Sequence, residues 1–189
     1  MINKLKINQG FTLIETLVAV LILVSAIMGP LTIASRGLST ALVAKDQTTA
    51  YYLAQDAVEY VRFARDTNRL KGFNWLTGNS ALPSAVLTPC VSADGSAECY
   101  FDSLANSPAQ PTVCEDATCS QHPLYYDPSN YYFNYNTNNL KTVFTRTVSI
   151  QTPVGGNTDE ASLTVTVSWS DLPGLTHTIT VREDIFNWQ

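Results

Sequence analysis

The most unusual chemical setting in the chain belongs to Glu15. It sits at the head of an apolar run, and the stretch from Thr16 to Ser35 contains no Asp, Glu, Lys, Arg or His. A carboxylate in such surroundings costs several kcal/mol unless it meets a cation or takes up a proton. The second chemically able set is Cys90, Cys99, Cys114 and Cys119, all downstream of the apolar run. If that run exports the residues beyond it, the thiols enter an oxidising compartment and disulfides are expected. Of the possible pairings, Cys90–Cys99 and Cys114–Cys119 are favoured, because each closes a short polar loop at low entropic cost. The spacings C-x8-C and C-x4-C lack the paired tight knuckles of zinc sites, so no metal is expected there. Asp127, Asn130 and Asn134 offer oxygens for calcium but form no complete cage by spacing, and a solvated turn explains them. His122 and His177 stand apart from other ligands and nucleophiles. No Ser/His/Asp set, glycine-rich phosphate loop or nucleophilic cysteine context is present, so no catalytic residue, metal or cofactor is assigned. The chain reads as a non-enzyme.

These residues must be held by elements, and the sequence divides into four stretches. Residues 1–10, MINKLKINQG, are short and polar with Lys4 and Lys6. Residues 11–36 form an apolar segment, and the uncharged part alone is long enough to span a bilayer as a helix at ~1.5 Å per residue. Two positive charges ahead of it favour a cytoplasmic N-terminus. Residues 37–72 continue as an amphipathic helix: Leu42, Ala50, Leu53, Ala57, Tyr60, Val61 and Ala64 recur at three- and four-residue steps. Arg62, Arg65, Arg69 and Lys71 suit the negative helix end, and Gly72 suits a left-handed stop. Glu59 and Arg62 are spaced for an i,i+3 pair. A near-continuous helix from about Phe11 to Leu70 is expected, with a kink or local melting at Gly29 and Pro30, where a backbone donor is missing.

Residues 73–189 form the head. Its first part, 73–140, is rich in Pro, Ser, Asn and Asp and reads as irregular loops stapled by disulfides, with a short strand in the aromatic stretch Leu124–Tyr135. Ala161–Ser170 alternates strictly, with Leu163, Val165, Val167 and Trp169 on one face and Ser and Thr on the other. Phe144–Thr152 places Phe144, Val148 and Ile150 together, and Leu175–Phe186 places Leu175, Ile179, Val181 and Ile185 together. Gly155-Gly156-Asn157 lies in the first connection, and Leu172-Pro173-Gly174-Leu175 suits a type II turn in the second. Three such strands make an antiparallel meander whose apolar face the stripe of Leu42–Ala64 can cover. The expected fold class is α+β: a long N-terminal helix packed on a C-terminal antiparallel β-meander. The net charge is −5, and beyond Gly72 the only cations are Lys141, Arg146 and Arg182. An acidic head with scattered cations disfavours nucleic acid as a partner. The tyrosines, including Tyr51, Tyr52, Tyr125, Tyr126, Tyr131, Tyr132 and Tyr135, are explained by strand propensity and half-buried surfaces.

Gly10-Phe11-Thr12-Leu13-Ile14-Glu15, leading directly into the apolar run, resembles the class III signal of type IV pilins and pseudopilins. The stretch Tyr51–Glu59 resembles the continuation found in many minor pilin-like proteins. The resemblance is specific over residues 4–36 and architectural beyond. It implies cleavage between Gly10 and Phe11 by a prepilin peptidase, N-methylation of Phe11, and an assembly role for Glu15. The new amine at Phe11 of an incoming subunit can then approach Glu15 of a neighbour, cancelling both charges in the apolar filament core. Ala19, Ser25, Ala26 and Gly29 are small enough to permit close helix approach.

The implied function is a structural subunit of a type IV pilus-like or type II secretion-like filament, a minor pilin or pseudopilin before a major one. The implied partners are other pilin-like subunits, the prepilin peptidase, an inner-membrane assembly platform driven by a cytoplasmic ATPase, and membrane lipid before assembly. The implied location is the inner membrane, single-pass with a cytoplasmic N-terminus, then an extracytoplasmic or cell-surface filament. Two alternatives belong to other classes. A tip adhesin predicts an exposed aromatic patch within 125–135, and a DNA-uptake pilin predicts a basic patch. A single-span receptor that never polymerises would retain residues 1–10. An ordinary secretory signal is disfavoured by Glu15 inside the apolar core and by the helical stripe beyond it.

Overall fold

The computed structural model describes residues 10, 12–79, 86–103, 111–115, 119–172 and 174–188. Lys4, Lys6, Phe11 and Pro173, which carry some of the sequence-based expectations, lie outside the described residues. The chain divides into two compact units, Met1–Lys45 and Asp46–Gln189.

Helix α1 spans Leu13–Leu70 and is helical through Gly29 and Pro30, so the local melting expected there is not seen. In the first unit no side chain from 12 to 42 is buried. Leu42, expected in the packing stripe, is exposed at 53% and falls in this first unit. The buried stripe instead begins at Ala50 and runs through Leu53, Ala54, Ala57, Val58, Tyr60, Val61 and Ala64. Several of its members are alanines, all of them fully buried. The helix ends as its sequence implies. Gly72 has φ +72°, its N–H donates to the Arg69 carbonyl at 2.9 Å, and Phe73 N–H donates to the Asn68 carbonyl at 2.8 Å. These are the two hydrogen bonds of a Schellman stop. Buried Asn68 adds a hydrogen bond from its Nδ2 to the Trp75 carbonyl at 3.3 Å, tying the next segment to the helix end.

The strands of the second unit are β1 (Val91–Ser92), β2 (Cys99–Tyr100), β3 (Thr112–Val113), β4 (Pro123–Asp127), β5 (Tyr132–Asn134), β6 (Leu140–Gln151), β7 (Glu160–Leu172) and β8 (Leu175–Phe186). The meander β6–β7–β8 is antiparallel, with Val148 opposite Val165 and Val165 opposite Val181. The β6–β7 connection turns through Gly155 and Gly156, at φ +56° and +87°. Two successive positive φ values are what a tight hairpin turn of the primed type requires. The described parts of 73–140 carry more strand than their composition implies. Strands β2 and β4 pair antiparallel with β6, β1 pairs parallel with it, and β3 and β5 extend the sheet as partners of β2 and β4. Pieces of two to five residues carry no readable period; pairing with β6, or for β3 and β5 with β2 and β4, defines them as strands.

The core lies between the helix stripe and the inner face of the sheet, with Leu163, Val165, Val167, Val148 and Ile150 fully buried and Trp169 and Phe144 nearly so. On β8 the face is only partly covered: Ile185 is buried, Ile179 and Val181 pack against the core, and Leu175 is exposed at 53%. The expected apolar face of β8 therefore holds at its C-terminal end and fails at its start. The other face of the meander carries hydroxyls that pair across strands, Thr166 with Thr180 at 3.4 Å and Ser168 with Thr178 at 3.2 Å. Two cross-links complete the head. Cys90 is bonded to Cys99 and Cys114 to Cys119, each pair with Cα atoms 5.0 Å apart.

Candidate functional site

The N-terminal segment is built from the helix start upward. Gly10 is exposed and precedes the first helical residue. Thr12 caps the helix: the Glu15 N–H donates to Thr12 Oγ1 at 3.3 Å and to the Thr12 carbonyl at 3.1 Å. A threonine with a glutamate three residues later has the spacing of a capping box, a start signal that inspection of the sequence had passed over. Glu15 therefore stands in the first turn, where the helix dipole favours negative charge. Its place is set by the cap, and no described residue covers it. Beyond it the surface is apolar all round, with Leu17 61%, Leu21 71% and Ile33 75% exposed. The segment is long and apolar enough to cross a membrane.

Its few polar side chains turn inward to the helix backbone. Thr16 Oγ1 donates to the Leu13 carbonyl at 2.8 Å, Ser25 Oγ to the Leu21 carbonyl at 2.9 Å, and Thr32 Oγ1 to the Met28 carbonyl at 2.8 Å. Hydroxyls satisfied in this way add little cost in lipid, where an unpaired donor is expensive.

In the head, the charged centre that sequence reasoning missed is Arg146. It is 2% exposed on the inner face of β6. One guanidinium nitrogen donates to Asp56 Oδ2 at 2.7 Å and to the Leu53 carbonyl at 3.0 Å, and the other donates to the Phe101 carbonyl at 2.9 Å. Asp56 also accepts from the Ser103 hydroxyl. Burial opposes the charge on Arg146, but the Tyr135 side chain and the Asp56 carboxylate outweigh it and hold the guanidinium above its ordinary value. A second tie from α1 reaches β8: Arg62 donates to Glu183 at 2.7 and 2.9 Å and to Glu59 at 2.8 Å. These ties hold the C-terminal part of α1 against the sheet.

The remaining candidates have local explanations. Asp127 accepts from the backbone N–H of Ser129 at 2.8 Å and from the Asn130 side chain at 3.0 Å, which lowers its pKa, the Asn130 hydrogen bond most of all. Asn134 is 2% exposed and accepts from Asn136 N–H at 2.9 Å and from Asn139 at 3.2 Å. Both oxygens of Asp127 and the amide oxygen of Asn134 thus organise turns. His122 stacks on Tyr100 at 4.4 Å, and His177 stacks on Trp169 at 5.3 Å and lies 3.0 Å from Asp171. Of the aromatic residues within 125–135 only Tyr131 is exposed, at 80%; the others are partly buried.

A membrane-length apolar helix with a capped acidic first turn, followed by a disulfide-bonded β head, fits a membrane-anchored protein. The comparison with protein families narrows this: the prokaryotic N-terminal methylation motif matches residues 5–29, the type IV pilin-type signature. No curated protein and no solved structure matches the chain. The motif supports a type IV pilin- or pseudopilin-like precursor. It implies processing by a prepilin peptidase and assembly with other pilins.

Proposed function

We propose that this chain is a subunit of a type IV pilus-like or type II secretion-like filament. It is cut after Gly10, methylated at Phe11 and assembled through α1. The observation that carries this reading is the coincidence of the methylation motif over residues 5–29 with a helix in which no side chain from 12 to 42 is buried. Exposed apolar surface of that extent is stable in lipid or among like helices; in water it would cost ~25 cal/mol per Å².

In this reading Glu15 acts between subunits. Thr12 holds the start of the helix, so the carboxylate is presented at a defined height to the amine that cleavage creates on the next Phe11. Neutralising the pair removes two charges from an apolar interior, where each alone is costly. Gly29 and Pro30 mark where the helix can bend as the bundle packs, since Pro30 has no N–H for the preceding turn. The partners are other pilin-like subunits, the peptidase and an inner-membrane platform, with lipid around the helix before assembly.

The test is mass spectrometry of purified filaments together with a Glu15 series. The expected result is a chain beginning at Phe11 with one added methyl group, present in filaments for the native residue and depleted for Glu15→Ala and Glu15→Gln. A chain that keeps residues 1–10 and stays in the membrane fraction supports the non-polymerising anchor instead. Equal incorporation of Glu15→Ala removes the carboxylate from the mechanism.

A further inference from the structure

We propose that the outer face of the head carries a binding groove for a neutral oligosaccharide. The groove has a volume of about 500 Å³ and lies across the start of β4, the first half of β6, the end of β7 and the start of β8. That is within the ~300–1,000 Å³ usual for small-ligand sites. It goes beyond the filament reading and does not rest on it, since the groove is complete in a single chain.

The walls select the ligand class. Most of the described lining residues are hydroxyl or amide side chains, among them Thr145, Ser168, Ser170, Thr176 and Gln121, and the only charge among them is Lys141. Gln121 and Lys141 are exposed, and among the described residues neither side chain has a hydrogen bond or ion pair. Both can donate to a ligand, and Gln121 can also accept. The hydroxyls are already aligned. Ser170 pairs with Thr176 at 3.2 Å, and Thr145 donates to the Ser168 carbonyl at 3.3 Å. Each hydroxyl offers one donor and two acceptor sites, so a paired hydroxyl keeps capacity for a ligand. Val143, 54% exposed, and Pro123 supply the apolar part of the lining, while Trp169, 3% exposed on the inner face, adds little.

Other ligand classes fit less well. A polyphosphate or nucleic acid needs several cations, and one lysine in a chain of net charge −5 does not supply them. An apolar ligand would cover Gln121 and Lys141 without offering them a hydrogen bond, at a desolvation cost. A polyol with apolar ring faces matches both parts of the lining. The hydroxyl ladder of β7 and β8 continues the same chemistry away from the groove, through Ser168–Thr178 and Thr166–Thr180, so a chain of several sugars can extend along it.

The experiment uses the full chain in a detergent whose headgroup carries no sugar, titrated calorimetrically with maltohexaose, cellohexaose and chitohexaose. At least one is expected to bind with a Kd between about 10 μM and 1 mM, equally in low and high salt. The double variant Gln121→Ala with Lys141→Ala, at exposed positions, is expected to weaken binding at least tenfold, and Tyr131→Ala, away from the groove, to leave it unchanged. Absence of binding for all three sugars overturns the proposal. So does undiminished binding by the double variant, loss of binding in Tyr131→Ala, or stronger binding of a heparin-derived hexasaccharide than of any neutral probe.

Discussion

At Arg146 a full positive charge is held with 2% of its surface exposed, and its acceptors come from Leu53 and Asp56 on the helix and from the distant Phe101. Removing one side of a buried ion pair costs far more than the pair contributes net, because the partner groups are left without their counterpart. Arg146→Ala is therefore expected to destabilise the head by about 3–5 kcal/mol, read as a lowered urea midpoint with near-ultraviolet circular dichroism as the signal. Asp56→Asn, at a partly exposed position, is expected to cost less, about 1–2 kcal/mol. A second residue gives a pH signature. Burial, with the Asp102 carboxylate adding to it, raises the Tyr60 pKa from 10.0 to about 12. The folded state then holds the phenol proton more tightly than the unfolded state does. This contribution is complete below the unfolded value and is lost as pH rises through the folded one. Stability is expected to fall between pH 10.0 and about 12, and Tyr60→Phe to flatten that fall in unfolding curves taken across the range. Arg146 itself was open to sequence reading. It lies two residues from both Phe144 and Val148, so period two puts it on the inner face. Its charge argued for the outside, and its acceptors at 53, 56 and 101 could not be known before the fold brought them together.

Among the elements, α1 and the meander were legible because their periods persist. Ala50 to Ala64 repeats for several turns, and Leu163 to Trp169 alternates without a break. Leu42 fits the same helical period yet is exposed, because period reports which side a residue faces and not whether anything covers it. The short strands β1, β2 and β3 were beyond reach for the opposite reason: each is two residues long. The turn signals were more informative. Gly72 was expected to stop the helix and does so at φ +72°, with open space around the position of a Cβ. Adding a methyl group there meets no neighbour, so the cost is the backbone conformation alone. Gly72→Ala is expected to destabilise the head by about 1–2 kcal/mol, and Gly72→Asn by less, since asparagine tolerates the left-handed region better. Equilibrium urea denaturation of the three proteins side by side gives the order. The capping spacing of Thr12 and Glu15 was equally readable, and the helix start it sets is compatible with the intersubunit role proposed for Glu15.

For the molecule as a whole, two solvents must be satisfied by one polypeptide. The first unit exposes an apolar surface suited to lipid or to other such helices, while the second carries its own core and its own cross-links. In an oxidising compartment the bond between Cys90 and Cys99, both fully buried, restrains the unfolded head. The Cys90→Ser, Cys99→Ser variant is expected to lose about 2–3 kcal/mol, measured by denaturation of the oxidised native chain and the variant in the same detergent.

Those cross-links also set a timetable. The bonded partners are 9 and 5 residues apart, and all four cysteines precede the long strands β6 to β8. When the N-terminus stays on the near side of a bilayer and the residues after α1 cross first, both rings reach the far side before the meander arrives. Cys99 lies opposite Val148 in the finished sheet, so the first ring can close early but is seated only when the later strand reaches it. An oxidase acting during translocation would thus hand the emerging sheet a preformed edge instead of a loose loop.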